Sequence, residues 1–230
     1  MKGSVEKNLP NHIEKMTEIT YNGENEIYNV RNVRSMTHDD IIRIFRDPPV
    51  LETRRLVLRR MQKRDSHDMY EYASRRDVTE YLLWDPHESE YYTYRYLSYI
   101  QSRYRAGDFY DWAVVVRENQ KMIGTCGFTR FNTEANSAEV GYVLNPAYWG
   151  FGIAPEAVLN VMRFGFVNLH LNRIEARYMV GNDRSRRVME KVGMTFEGVA
   201  RESMHVKGKY VSVGTCSILR SEFQQKFGAV

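Results

Sequence analysis

The sequence predicts a mixed α/β (α+β) fold with a mostly antiparallel central sheet of about seven strands and helices on both faces. Three strand-like segments follow one another between residues 112 and 144, separated only by short turns, which is typical of an antiparallel meander. Beyond them, segments of helical and strand periodicity alternate up to residue 219. This order of elements indicates helices that pack against a single mixed sheet.

Residues 1–50 are predicted to form an N-terminal extension, and residues 51–225 the main domain. The first 35 or so residues are polar and weakly patterned, which indicates a mobile arm, although residues 26–33 could add a short strand. A short helix is predicted next. Thr37 can cap it, two aspartates favour its positive end, and its apolar residues share one face.

The main domain is predicted to start with a strand around Leu56 and Leu58, where apolar side chains alternate. A helix capped by Asp65 and a second helical region over residues 89–105 follow. The remaining elements are three strands, a helix, a strand, a helix and a final strand pair, at residues 112–118, 122–131, 138–144, 155–169, 173–180, 184–192, 195–210 and 211–219.

Composition excludes several classes of protein. Hydrophobic residues make up 43% and charged residues 27% of the chain, as in an ordinary globular protein, and no run of 18 apolar residues predicts a membrane span. The first ten residues hold no apolar block, so no secretory signal is expected. Cys126 and Cys216 lie far apart in apolar surroundings, which favours buried thiols in a reducing cytoplasm.

Metal and nucleic-acid sites are not expected either. The six histidines show no metal-ligand spacing, so no metal is predicted. Residues 54–64 are rich in arginine and lysine, but no nucleic-acid-binding motif accompanies them. We therefore expect neither direct nucleic-acid contact nor membrane binding.

The stretch NPAYWGFGIAPEAVLNVMRFGF, residues 145–166, joins a glycine loop to an amphipathic helix. Gly150 and Gly152 allow the backbone to approach a ligand closely, and free N–H groups at a helix start favour an anion. Pro155 stands where a missing N–H costs no intrahelical bond. The loop therefore suits a phosphate group, and a tight turn without a ligand is the alternative.

Spacing argues against two familiar phosphate-binding motifs. A P-loop needs Lys and then Ser or Thr after its second glycine, but Ile153 and Ala154 follow Gly152 here. A dinucleotide fingerprint needs a third glycine where the chain has Pro155.

The segments AEVGYVLNPAYWGFGIAPEAV (138–158) and VGNDRSRRVMEKVGMTFEG (180–198) together resemble the GCN5-related N-acetyltransferase (GNAT) superfamily. The pattern is most similar to the RimJ/RimL-like branch, which acetylates ribosomal-protein N-termini. The resemblance covers about residues 53–220 and implies the GNAT fold. In one departure, Ala147 stands where the superfamily often has Gln or Arg.

The resemblance implies a cytoplasmic acyltransferase that uses acetyl-CoA as co-substrate, without a metal. The acetyl group would move directly to a primary amine, first of all the N-terminal α-amine of a protein such as a ribosomal protein. A polyamine or another small amine is the alternative acceptor. A non-catalytic CoA-binding sensor or interaction module, and a homodimer, are also left open.

The same resemblance places the cofactor on an exposed strand edge, on the glycine loop and at the start of a later helix. A backbone N–H near Val143 or Leu144 would polarise the thioester carbonyl. The side chains of Asn182 and Ser185 could instead only cap their helix. The predicted cofactor-binding residues are Tyr142, Val143, Leu144, Trp149, Gly150, Phe151, Gly152, Ile153, Ala154, Asn182 and Ser185.

Transfer to an ammonium requires a proton acceptor, and the departing thiolate benefits from a donor. Glu139 is the first candidate acceptor and Glu202 the second, while Ser185 is the candidate donor. Glu139 could instead face solvent or pair with an arginine.

The acceptor site is predicted in the two helices after the first strand. Ten tyrosines fall between Tyr70 and Tyr110, and with Trp84 they could form an aromatic wall for a peptide or an amine. Many of them must also be partly buried in the core. The predicted substrate-binding residues are Trp84, Tyr92 and Tyr96.

Overall fold

The structure, a computed structural model, describes residues 36–228. The predicted mobile arm lies outside the described residues, and the boundary between extension and domain stays a prediction. The described part contains eight strands, seven α-helices and two short 3₁₀ turns.

The strands form one sheet in the order β1-β2-β3-β4-β5-β6-β8-β7. Their bounds are β1 Leu51–Glu52, β2 Leu56–Arg59, β3 Asp111–Val116, β4 Met122–Asn132, β5 Ser137–Leu144, β6 Arg173–Met179, β7 Thr195–Val206 and β8 Lys209–Leu219. Every neighbouring pair is antiparallel except β5 and β6, which are parallel. The predicted mixed, mostly antiparallel sheet is therefore confirmed.

Helices cover both faces of this sheet, as predicted. Their bounds are α1 His38–Arg46, α2 Ser66–Ala73, α3 Arg76–Thr79, α4 Glu90–Ala106, α5 Ile153–Val167, α6 Asp183–Lys191 and α7 Arg220–Phe227. Strand β1 and helices α3 and α7 were not expected from the sequence. These elements span two, four and eight residues, too few for a clear periodic pattern of apolar residues.

Two hydrophobic cores lie on opposite faces of the sheet because side chains alternate along each strand. On β3, Trp112 and Val114 belong to the first core, which α1, α5, α6 and α7 cover. Ala113 and Val115 belong to the second core, which α2, α3 and α4 cover. Trp149 packs partly buried against both cores, so the loop after β5 lies where they meet.

Capping explains where two helices begin and corrects one expectation. Thr37 caps α1 in a capping box with Asp40, and Ser89 caps α4 by accepting the Tyr92 N–H. Asp65 precedes α2 but makes no capping bond to it. Its carboxylate instead accepts two hydrogen bonds of 2.8 Å from Arg59 and one of 2.7 Å from the Gln62 N–H, so the predicted side-chain cap is wrong.

Candidate active site

Strand β5 has two halves with different neighbours. Ser137–Glu139 pairs in parallel with Arg173–Glu175 of β6, and we call this segment the paired half. Within the described residues the β5–β6 register stops there, although β5 continues to Leu144 along β4. Residues 140–144, the open half, therefore present an unpaired strand edge toward β6.

Backbone alternation shows which groups face this gap. The Asn145 N–H donates to the Ile123 carbonyl of β4 at 2.7 Å. Because successive N–H groups of a strand point to opposite sides, the Leu144 N–H faces away from β4 and into the gap. Of the two predicted oxyanion donors, Leu144 thus has the suitable direction.

The glycine loop continues directly from the open half. Gly150 and Gly152 both adopt positive φ, 85° and 72°, in the left-handed region that favours glycine. Gly152 is the N-cap of α5, so the Ile153 and Ala154 N–H groups lie in the first helical turn, where donors have no intrahelical acceptor. The Phe151 side chain is 68% exposed.

An arginine and a glutamate hold this loop against the β1–β2 turn. Arg55 forms an ion pair of 2.6 Å with Glu156 in the first turn of α5, and donates to the Phe151 carbonyl at 2.9 Å. Thr53 donates to the same glutamate at 2.6 Å. Burial alone would raise the pKa of Glu156, but the hydrogen bonds from Thr53 and Arg55 outweigh it and lower that pKa.

Trp149 closes the far end of the open half. Its indole N–H donates to the Leu144 carbonyl at 2.8 Å. The Arg184 guanidinium of α6 lies 4.3 Å from the centre of its ring, a cation–π contact. These contacts connect the glycine loop with the start of α6.

Three predicted cofactor residues meet at the start of α6. The Tyr142 hydroxyl donates to the Ser185 carbonyl at 2.9 Å and lies 2.9 Å from the Ser185 hydroxyl. Asn182 caps α6 by accepting the Ser185 N–H at 3.1 Å. Burial raises the pKa of Tyr142, so the phenol stays protonated and can donate a hydrogen bond.

The two predicted proton acceptors lie elsewhere. Glu139 belongs to the paired half and is buried; its carboxylate lies 3.1 Å from Arg130 and 2.9 Å from Arg177. This geometry is the arginine pairing considered as the alternative to a base. Glu202 is exposed on β7, separated from β5 by β6 and β8, so the structure does not bring it to Tyr142 and Ser185.

The three predicted substrate-binding residues surround a histidine that the sequence did not single out. The ring centroids of Trp84, Tyr92 and Tyr96 lie 5.3, 5.0 and 5.5 Å from that of His87. His87 Nδ1 lies 2.8 Å from the Thr93 hydroxyl, and burial lowers the pKa of the imidazole. The concentration of aromatic residues around His87 was the one signal that could have identified it.

An open groove of about 770 Å³ adjoins this aromatic cluster. Acidic side chains outnumber basic ones along it, which favours a positively charged ligand. The groove is lined by Arg76, Asp77, Thr79, Glu80, Asp85, Pro86, His87, Glu88 and Lys207.

Two features are absent from the described residues, 36–228. No group of three or more His, Cys, Asp or Glu side chains there could hold a metal ion. No described helix combines the length and apolar character that a membrane span requires.

Comparison with known proteins identifies the family. Residues 55–195 match the model of the acetyltransferase (GNAT) domain, so the chain belongs to the GNAT acetyltransferase family. "Uncharacterized N-acetyltransferase p20" of Bacillus licheniformis is 33% identical over 173 residues, which cover 75% of this chain and 97% of the relative. The protein is accordingly a GNAT-type N-acetyltransferase, an acyltransferase, and enzymes of this family use acetyl-CoA as co-substrate.

Two further similarities extend this result. The "[Ribosomal protein uS5]-alanine N-acetyltransferase" of Escherichia coli is 25% identical over 167 residues, 70% of this chain and 85% of that protein. The crystal structure of the acetyltransferase (GNAT family) from Bacillus anthracis superposes with a TM-score of 0.67 at 26% identity, and covers 75% of this chain and 99% of that one. The predicted GNAT fold is thus confirmed.

Proposed function

We propose that this protein transfers the acetyl group of acetyl-CoA directly to the N-terminal α-amine of another protein, such as a ribosomal protein, as RimJ/RimL-like enzymes do. The observation that carries the proposal is the open half of β5, which runs without interruption into the glycine loop and α5. An unpaired strand edge followed by a helix N-terminus provides sites for an amide chain and a phosphate group in one continuous segment.

The residues present fit acetyl-CoA on chemical grounds. The amide groups of the pantetheine arm can pair with the open half of β5, whose backbone groups lack a strand partner on that side within the described chain. The N–H groups from Gly150 to Ala154 would hold the pyrophosphate. Acetyl-CoA supplies an activated thioester, and the protein has to orient it and move protons.

Protein groups on two sides of the gap would assist the transfer. The Leu144 N–H would polarise the thioester carbonyl, as an oxyanion donor does. The Ser185 hydroxyl, held beside Tyr142, would donate a hydrogen bond to the sulfur as the C–S bond breaks. Asn182 would fix Ser185 by capping α6.

The acceptor would enter from the side of the second core. Trp84 and Tyr96 pack against that core, as does Val143 of the open half, so the aromatic cluster and the thioester share one face of the sheet. The Escherichia coli relative named for ribosomal protein uS5 supports a protein N-terminus. The acidic groove beside His87 favours a cation, and it supports a polyamine as the second candidate acceptor.

A cytoplasmic location is part of the proposal. Cys126 and Cys216 are both free and buried, which fits a reducing compartment.

The experiment is acetyl-CoA incubation with a panel of N-terminal peptides and polyamines, with release of free thiol as the readout. We expect thiol release that depends on a free peptide N-terminus, and N-terminally blocked peptides serve as the matched control. Release with polyamines alone would move the assignment to the second candidate. Tight acetyl-CoA binding without release by any acceptor would instead identify a CoA-binding module and overturn the proposed activity.

A further inference from the structure

The Asp111 carboxyl group lies on the face of the sheet that the second core covers, the face from which the acceptor would enter. Asp111 begins β3, and its side chain shares the face of Ala113 and Val115, which line the second core. Asp111 stands opposite Gly127 of β4, and Gly127 stands opposite Gly141 of β5. Neither glycine of this row has a side chain, and the methyl group of Thr129 lies beside the Cβ position of Gly141.

The Asp111 carboxyl lies beside Gly127 of β4. A Cβ atom added at Gly127 would lie 2.8 Å from the Asp111 Oδ1 atom, so the carboxyl occupies the space that a side chain at Gly127 would take. Gly141, the next position in the row, lies two residues before Val143 of the open half. Gly127 of β4 is thus the one position between Asp111 and Gly141, in the strand that would hold the thioester.

Asp111 differs from Glu139 in its partners. Glu139 contacts two arginines, whereas within residues 36–228 no lysine or arginine forms an ion pair with Asp111. Its carboxyl accepts the Trp112 N–H at 3.0 Å and a hydrogen bond from the Thr125 hydroxyl. Without a cation it is free to exchange a proton with an incoming amine.

The titratable groups around Asp111 are neutral hydroxyls and, on the opposite face of the sheet, a thiol. Tyr72 of α2, Tyr96 and Tyr104 of α4 and Cys126 of β4 interact with it electrostatically. Among residues 36–228, the buried Tyr72 hydroxyl has no hydrogen-bond partner. Burial raises the pKa of the Asp111 carboxyl to about 7, and the hydrogen bonds from Thr125 and Trp112 oppose that rise.

We propose that Asp111 is the proton acceptor for the amine substrate, reached across the Gly127–Gly141 row, an inference that rests on the acetyltransferase function proposed above. The Asp111 carboxylate takes one proton from the ammonium, and the neutral amine forms the new C–N bond with the thioester carbonyl carbon. The C–S bond breaks, and the thiolate takes the second proton that the nitrogen loses. Coenzyme A leaves as the thiol, and Asp111 returns its proton to water.

The test compares Asp111→Asn with Glu139→Gln, two matched changes of a carboxylate to an amide on the same face of the sheet. Asp111→Asn should lower kcat at neutral pH about 100-fold or more, the range of general-base catalysis. The Kd for acetyl-CoA, measured by calorimetry, should not change. In Glu139→Gln, the plot of kcat/KM against pH should keep its fall on the acidic side, called the acidic limb.

A second variant keeps the proposal testable if Asp111→Asn does not fold. Thr125→Val removes a hydrogen bond that lowers the pKa of Asp111, so the acidic limb should move to higher pH. Carbon-13 NMR of the carboxyl groups gives a readout independent of turnover. One carboxyl should titrate near pH 7 in the wild type, disappear in Asp111→Asn and shift upward in Thr125→Val.

The outcomes separate this inference from the proposed function. An active wild type with unchanged turnover in Asp111→Asn, or a Thr125→Val profile that does not move, would overturn the role of Asp111 alone. Loss of the acidic limb in Glu139→Gln instead would assign the proton acceptor to Glu139. A wild type that binds acetyl-CoA but acetylates no amine would overturn both.

Discussion

The two halves of β5 have different structural roles although they belong to one strand of eight residues. The paired half is held by β6 and by a network of ion pairs that joins Glu139 to Arg130 and Arg177. The open half keeps β4 on one side and leaves the other side to a ligand. Pairing with β6 and these ion pairs thus hold one end of β5, while the other end stays separated from β6.

The largest effect is expected at the loop that continues the open half. Gly150→Val should weaken acetyl-CoA binding about 100-fold, because a branched side chain is strained at φ 85° and displaces the N–H groups that would face the phosphates. Calorimetric titration with acetyl-CoA measures the change.

Gly208→Val is the matched control. Gly208 has φ 76° in the β7–β8 turn, and a Cβ at either glycine would meet no atom within 4 Å. Both variants should therefore lose similar stability, and only Gly150→Val should lose affinity. Equal affinities would show that the loop does not hold the cofactor.

The second prediction concerns the paired half. Glu139→Gln removes the charge that faces Arg130 and Arg177, so it should lower the free energy of unfolding by about 1–3 kcal/mol. Chemical denaturation gives this value, and an unchanged midpoint would show that the ion pairs do not stabilise the paired half.

A smaller effect is expected within the gap itself. Ser185→Ala should lower kcat about tenfold with little change in KM for acetyl-CoA, because the departing sulfur is the only part of acetyl-CoA that its hydroxyl, held beside Tyr142, would contact. Ser102→Ala is the control, since the exposed Ser102 hydroxyl of α4 hydrogen-bonds within its own helix, to the Tyr99 carbonyl. Equal kcat values in the two variants would exclude a catalytic role for the Ser185 hydroxyl.

The smallest expected effect is a pH dependence of the stability that the Arg173–Glu197 ion pair gives to the start of β6. Two hydrogen bonds of 2.6 Å from Arg173, at the start of β6, lower the pKa of Glu197 to about 2. Since this pKa lies below its value in the unfolded chain, the pair stabilises the fold above about pH 4.5, and the gain disappears as the pH falls toward 2.

The magnitude of that gain should stay below about 1 kcal/mol, because the Glu197 side chain is 39% exposed and water screens the pair. Arg173→Met should make thermal stability less dependent on pH between 4.5 and 2. An identical slope in the wild type and this variant would exclude the Arg173–Glu197 pair as its source.

The sequence predicted the elements whose signals are local. The three-strand meander, α5 and α6 follow from periodicity, and the α1 and α4 starts follow from capping residues. The gap between β5 and β6 could be expected only from the family resemblance, because no property of Val140 or Leu144 alone indicates that a neighbouring strand will diverge.

Long-range contacts explain what the sequence did not reveal. Arg55 lies about 100 positions from Glu156, and spacing gives no sign that the two meet. Asp111 looks like an ordinary residue at a strand start until the register places Gly127 and Gly141 beside it. In the same way, the Asp65 side chain has the type of a helix cap, but it accepts from Arg59 and the Gln62 N–H and makes no bond to the start of α2.

The open half of β5 also has a consequence for handling the protein. An unsatisfied strand edge is a template on which a strand of another molecule can add, and such addition leads to aggregation. Pro146, just after β5, cannot extend such a ladder, which limits the exposed template to a few residues. A ligand that occupies the edge should therefore act as a protectant during concentration and storage.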